Sequence, residues 1–192
     1  MASTRPEAQA KAREYFRTRG TLASAETVRT RVAEAFEALD KFLSQVPVDR
    51  VGRRAWEHEW SVQEVVDHLV ETHRPGLDEL RCLFAGRRPS GEPIPASLQS
   101  KDPLVRPWSW LCRELGTIHA DILEALASVP SDFETDARAP LVMVVNIKTE
   151  GGDTLPFEWI EDLDWKAYAI TWRLHAIDHL HQARKVLGAL NP

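Results

Sequence analysis

The stretch WSVQEVVDHLVETH, residues 60–73, reads as the start of an amphipathic helix. Ser61 is a good N-cap. Glu64, three positions on, completes a capping box, in which each side chain takes a backbone N–H of the other residue. Val62, Val65, Val66 and Leu69 follow at helical spacing, and Leu77 and Leu80 carry the apolar stripe onward. The tripeptide RPG, residues 74–76, should kink or interrupt this helix, because proline has no N–H to donate and its ring crowds the preceding turn.

Three further segments show the same period. Residues 23–46 place Val28, Val32, Phe36, Leu39, Leu43 and Val46 on one face, and Pro47 closes them. Residues 108–128 do so with Leu111, Leu115, Ile118, Ile122 and Leu126. Residues 163–190 carry Trp165, Ala169, Trp172, Ala176, Ala183, Leu187 and Leu190, with Asp162 or Asp164 near the start and Gly188 near the end. Four such helices imply an all-α, up-down four-helix bundle. Residues 1–20 read as an N-terminal arm or short helix, and residues 21–192 as a single domain. The connection 84–107 is proline-rich and irregular. Residues 140–159, PLVMVVNIKTEGGDTLPFEW, hold a β-branched run, a Gly-Gly turn signal and a second extended stretch. They predict a small β-hairpin inserted at about 140–160, before the last helix.

The 192 residues are long enough for one sizeable core, and 43% are apolar. A net charge of −5, with no basic stripe on any helix, argues against nucleic acid as a partner. No apolar run approaches the length of a membrane span, so no membrane association is expected. Cys82 and Cys112 lie too far apart for a metal-binding pair and form no disulfide framework, which suits a reducing, cytoplasmic setting.

The chemistry is concentrated in the histidines. In WRLHAIDHLHQARKVLG, residues 172–188, His175 and His179 stand four apart, so they stack on one flank of the apolar stripe. His181 falls on the opposite, solvated side. Two imidazoles at this spacing can offer nitrogens to one metal ion. Ala176 stands where a HExxH protease would have its glutamate, so that mechanism is excluded. A third ligand must come from another helix, and residues 60–73 supply two choices. His73 lies nearer the middle of the stripe and His68 at its edge. Spacing alone does not choose between them.

Taken together, WSVQEVVDHLVETH and the later HAIDHLHQ resemble the DinB/YfiT-like family of four-helix-bundle metalloproteins. That family has a Trp-Ser/Thr opening of its second helix, a ligand histidine eight residues after the Trp, and His-x-x-x-His on its final helix. The resemblance therefore implies His68, His175 and His179 as ligands of one divalent transition metal, zinc or nickel first. Gln182 matches a glutamine three residues after the last ligand. Each ligand needs its other ring nitrogen held, and Gln182, Glu64 and Asp178 are the candidates for that outer role.

Three protein ligands leave a coordination position open, as catalytic rather than structural sites do. An open position can lower the pKa of bound water to give hydroxide, or bind and deprotonate a thiol. The resemblance favours the thiol. It implies an enzyme that transfers a low-molecular-weight thiol, brought as a cosubstrate, to a small electrophile. A metal-hydroxide hydrolase and a non-catalytic metal-binding stress-response protein are the alternatives. A small-molecule substrate and a homodimer are the expected partners.

Overall fold

The computed structural model describes residues 4–148, 151–152 and 154–190. Five α-helices and one hairpin are formed among them: α1 (Arg5–Phe16), α2 (Ala25–Leu43), α3 (Val62–Phe84), α4 (Trp108–Ala127), β1 (Ala139–Lys148), β2 (Thr154–Leu163) and α5 (Trp165–Ala189). The helix starts follow from their caps. Ser24 accepts from the Thr27 N–H, and Ser61 and Glu64 form the reciprocal box that opens α3. Of the two aspartates before α5, Asp164 is the cap, accepting from the N–H groups of Lys166 and Ala167, both at 3.0 Å.

The apolar stripes meet in one core. Val28, Val32, Phe36 and Leu39 of α2, Leu69 and Leu80 of α3, Leu111, Leu115 and Ile122 of α4, and Ala169, Ala176 and Ala183 of α5 are all essentially inaccessible. The four long helices form the expected bundle, but their order round it differs from a simple up-down arrangement. Both α2 and α3 pack against α4 and against α5, so α2 and α3 lie on a diagonal. The long connections at residues 44–61 and 85–107 free consecutive helices from having to be neighbours.

Helix α3 does not break at Pro75; it runs unbroken to Phe84. Gly76, which follows, leaves room on the inner face for Tyr168 and Trp172. Their side-chain atoms would lie 3.3–3.5 Å from any added Cβ. The helix is also buried on both sides at its start, with Ser61 to Val70 inaccessible in succession. The outer side is covered by the proline-rich segment 85–107, and the buried polar residues of α3 hold it there. Gln63 donates to the carbonyls of Pro103, Leu104 and Arg106 at 2.9–3.2 Å. Asp67 accepts from the Ser100 N–H at 2.8 Å and hydroxyl at 2.7 Å, and pairs with Arg106 at 3.2 Å. Gln99 donates to the Glu64 carbonyl at 2.9 Å.

The hairpin is antiparallel, with Ala139 opposite Leu163 and Lys148 opposite Thr154. Gly152 in its turn adopts a φ of 87°, which L side chains disfavour and glycine does not. Residues 5–16 of the expected arm form α1, which packs alongside the hairpin. Arg13 donates to both Glu161 carboxylate oxygens at 2.8 and 3.0 Å. A π-helical turn, Arg17–Thr21, then brings Gly20 against the first turn of α5. No helix among the described residues is long and apolar enough to cross a membrane.

Candidate metal centre

Helices α3 and α5 bring His68, His175 and His179 together, with one ligand atom of each within 4.8 Å of the others. Their rings meet edge to face, with centroids 5.0 Å apart for His68–His175, 4.7 Å for His68–His179 and 4.5 Å for His175–His179. Trp60, just before the α3 cap, packs beside the trio, 5.0 Å from His68 and 6.2 Å from His179.

In each histidine one ring nitrogen is held and the other is turned to the common point. Nδ1 of His68 donates to the Leu98 carbonyl at 2.7 Å, so the covering segment 85–107 orients this ring. Nδ1 of His179 donates to Oε1 of Gln182 at 2.8 Å. Nδ1 of His175 meets Nε2 of His73 at 3.0 Å. The Nε2 atoms of His68 and His175 lie 2.9 Å apart. Outer groups of this kind fix the tautomer and raise the basicity of a ligand imidazole.

Burial favours the neutral rings that a metal needs. It lowers His68, against the opposing pull of the Leu98 carbonyl and Asp67. His175 is held well below its ordinary value by burial and then by His179, His73 and His68. His179 is drawn down to about 4 by burial and by His68, with Gln182 opposing. At neutral pH all three rings are therefore neutral, each with one nitrogen lone pair. The donor set fits a first-row divalent ion: three imidazoles at coordination scale, each Nδ1 already engaged.

His68 and His73 both reach α5, on different nitrogens of His175, which is why spacing could not separate them. Gln182 bonds to His179. Glu64 has its carboxylate engaged by Arg54 and by the Ser61 N–H at 2.8 Å, so it secures the start of α3 and the segment before it. Asp178 lines the same cleft as the trio, its carboxyl raised by desolvation against the pull of His181. His181 is exposed. Sequence reading used Trp60 only as the marker from which His68 is counted, and passed over the Leu98 carbonyl. It also passed over His119, although this residue continues the α4 stripe four positions after Leu115.

The trio lies at the floor of a cleft of about 1050 Å³. Helix α1 contributes Tyr15 and Phe16 to its wall, the covering segment Ile94, and β1 Leu141 and Met143; Trp172 lies beside the histidines. The wall is mostly apolar, with Lys11, Asn146, Glu158 and Asp178 among its polar groups. Cys82 and Cys112 are not among its lining residues. Burial, with a further push from Asp40, raises the Cys112 thiol to about 11, which leaves it unreactive at neutral pH.

No family model matches this chain, and no curated protein matches it in sequence. Among solved structures it resembles one described as "YfiT from Bacillus subtilis is a probable metal-dependent hydrolase with an unusual four-helix bundle topology". The two share 15% identity and a TM-score of 0.58, over 85% of this chain and 87% of the other. At that identity the likeness establishes a YfiT-like bundle fold.

Proposed function

We propose that this chain is a metal-dependent enzyme acting on a small molecule with an apolar body. The observation that carries this reading is the convergence of three imidazoles, each with its Nδ1 engaged, at the floor of an apolar cleft. His68, His175 and His179 would hold one divalent ion, zinc or nickel first. Such an ion supplies Lewis acidity, which turns a water or a thiol into a nucleophile at neutral pH.

The residues around the site do the rest. Leu98, His73 and Gln182 orient the three rings. Trp60 packs against two of them and limits water at their side. The cleft walls bind the apolar part of the substrate, and Asp178, which lines the same cleft, offers a carboxyl for accepting or returning a proton. Thiol transfer to an electrophile is our first reading. The cleft is at the large end of ligand-sized sites, with room for a cosubstrate beside a small substrate, and neither cysteine of the chain is placed to serve as nucleophile. Hydrolysis is the second reading, favoured by the description of the solved structure that shares the fold.

The test is metal content per chain on untagged protein purified without chelator, beside His175→Ala, His179→Ala and the exposed control His181→Ala. The expected result is about one first-row metal per chain, lost in the first two variants and kept in the third. Wild-type protein that takes up no metal on reconstitution would refute the reading. Turnover that requires added thiol would select transfer over hydrolysis.

A further inference from the structure

Beyond the trio, the bundle buries two more histidines whose nitrogens raise a separate question. His73 and His119 are 1% and 2% exposed. Nδ1 of His73 and Nε2 of His119 are the buried side-chain polar atoms left without a hydrogen-bond partner among the described residues. An unpaired buried polar group costs about 1–3 kcal/mol, yet these two sit on rings in contact, with centroids 5.5 Å apart.

The tautomers resolve the pair. Nδ1 of His119 lies 3.1 and 3.2 Å from the two carboxylate oxygens of Asp40. A carboxylate accepts, so Nδ1 carries a hydrogen, and in the neutral ring Nε2 of His119 is a bare acceptor. When Nε2 of His175 gives its lone pair to an ion, the hydrogen of that ring sits on Nδ1 and is donated to Nε2 of His73. The hydrogen of His73 then sits on its own Nδ1. The two orphans then become a donor and an acceptor on neighbouring rings rather than two like groups. With the opposite tautomer of His175, whose hydrogen is on Nε2, both orphans are acceptors and the pair stays unmatched.

We infer that Asp40, His119 and His73 form an outer chain that selects the tautomer of His175 with a free Nε2 and so positions it as an ion ligand. The inference rests on the trio being a metal centre. The chain takes one residue from each long helix: Asp40 from α2, His119 from α4, His73 from α3 and His175 from α5. Phe36 of α2 stacks on His119 at 3.7 Å between centroids, 6° from parallel, and holds that ring in place. Asp40, with its side chain 44% exposed, is the solvent end. Asp40, His119 and His73 are positioning residues, acting on the metal through His175.

The test measures Zn²⁺ affinity by chelator competition and the visible absorption bands of the Co²⁺-loaded chain. The variants are Asp40→Asn, His119→Phe and His73→Phe, with His181→Ala as control. His73→Phe should weaken Zn²⁺ binding by about 10- to 100-fold, the usual effect of losing a partner of a ligand histidine. His119→Phe and Asp40→Asn, one and two links further out, should weaken it by about three- to tenfold. All three should shift the Co²⁺ bands, and the control should match wild type. A purely structural role predicts lower melting temperatures with unchanged Zn²⁺ affinity and Co²⁺ bands, and that result overturns the chain. Should the buried variants not fold, Asp40→Asn decides alone, because its side chain is partly solvated. Wild-type protein that binds no Zn²⁺ overturns the metal centre as well. Wild-type binding with unaltered variants overturns the outer chain only.

Discussion

Replacing Asp67 by alanine tests how the site is built, because this carboxylate lies between fold and chemistry. Asp67 is inaccessible and holds segment 85–107 through the Ser100 N–H at 2.8 Å, the Ser100 hydroxyl at 2.7 Å and Arg106 at 3.2 Å. Hydrogen bonds to a charged group contribute about 1.5–3 kcal/mol each, and breaking a buried ion pair costs about 3–5 kcal/mol. Arg106 is 30% exposed and keeps Glu71 at 2.6 Å, so it is not stranded by the change. The low end therefore applies, about 3 kcal/mol. With a urea m-value of about 2 kcal/mol/M for a chain of this size, the unfolding midpoint should fall by about 1.5 M at unchanged m. The same segment carries the Leu98 carbonyl that orients His68, so Zn²⁺ affinity should drop about tenfold. Urea unfolding in chelator and Zn²⁺ competition on the folded chain read the two effects separately. Stability loss under about 1 kcal/mol would refute the anchoring role. Full stability loss with unchanged Zn²⁺ affinity would show that Leu98 does not hold His68.

Three other changes probe separate parts of the molecule. Gly20→Ala puts a Cβ 2.5 Å from Cα and 2.8 Å from N of Ala167, both backbone, so the π-helical turn has to lift off α5; thermal unfolding should show a loss above about 2 kcal/mol. Gln182→Leu removes the acceptor for Nδ1 of His179 and should weaken Zn²⁺ binding about tenfold while leaving the melting temperature of the chelated chain nearly unchanged. The Tyr168 phenol donates to Glu79 at 2.6 Å, and burial, followed by Glu79, holds its ionisation well above the usual 10. The folded chain thus keeps a proton that the unfolded chain releases, so this contribution is complete below pH 10 and declines as pH rises past 10. Melting temperatures between pH 8 and 11 should show that decline, and Tyr168→Phe should flatten it. A variant with the same alkaline slope as wild type would assign the effect elsewhere.

Four amphipathic stripes, the Ser61 cap and the hairpin were legible in the chain because each is a local pattern. Helical spacing dictates which side chains share a face, Ser61 satisfies the N–H group of Glu64, and the Gly-Gly turn signal lies between two extended stretches. His175 and His179 were legible for the same reason, four residues apart on one helix. What the pattern could not convey was which helices become neighbours, since long connections allow several orders and burial energy is non-directional. The passage of α3 through Pro75 was another departure, the packing of α3 overriding a local preference.

The centre itself divides along the same line. Sequence supplied the imidazoles, and left His68 and His73 as rivals because a helical wheel records angles on one helix and not distances between two. The tertiary structure gave each a nitrogen of the same His175. It brought His119 and Asp40 behind them from two other helices, and laid the Leu98 carbonyl over His68 from a segment with no regular structure. A backbone carbonyl leaves no mark in the amino-acid code, and contacts among histidines of different helices exist only once those helices have packed. Local periodicity thus determined which imidazoles this protein can offer, and non-local packing decided which nitrogens converge and what holds them there.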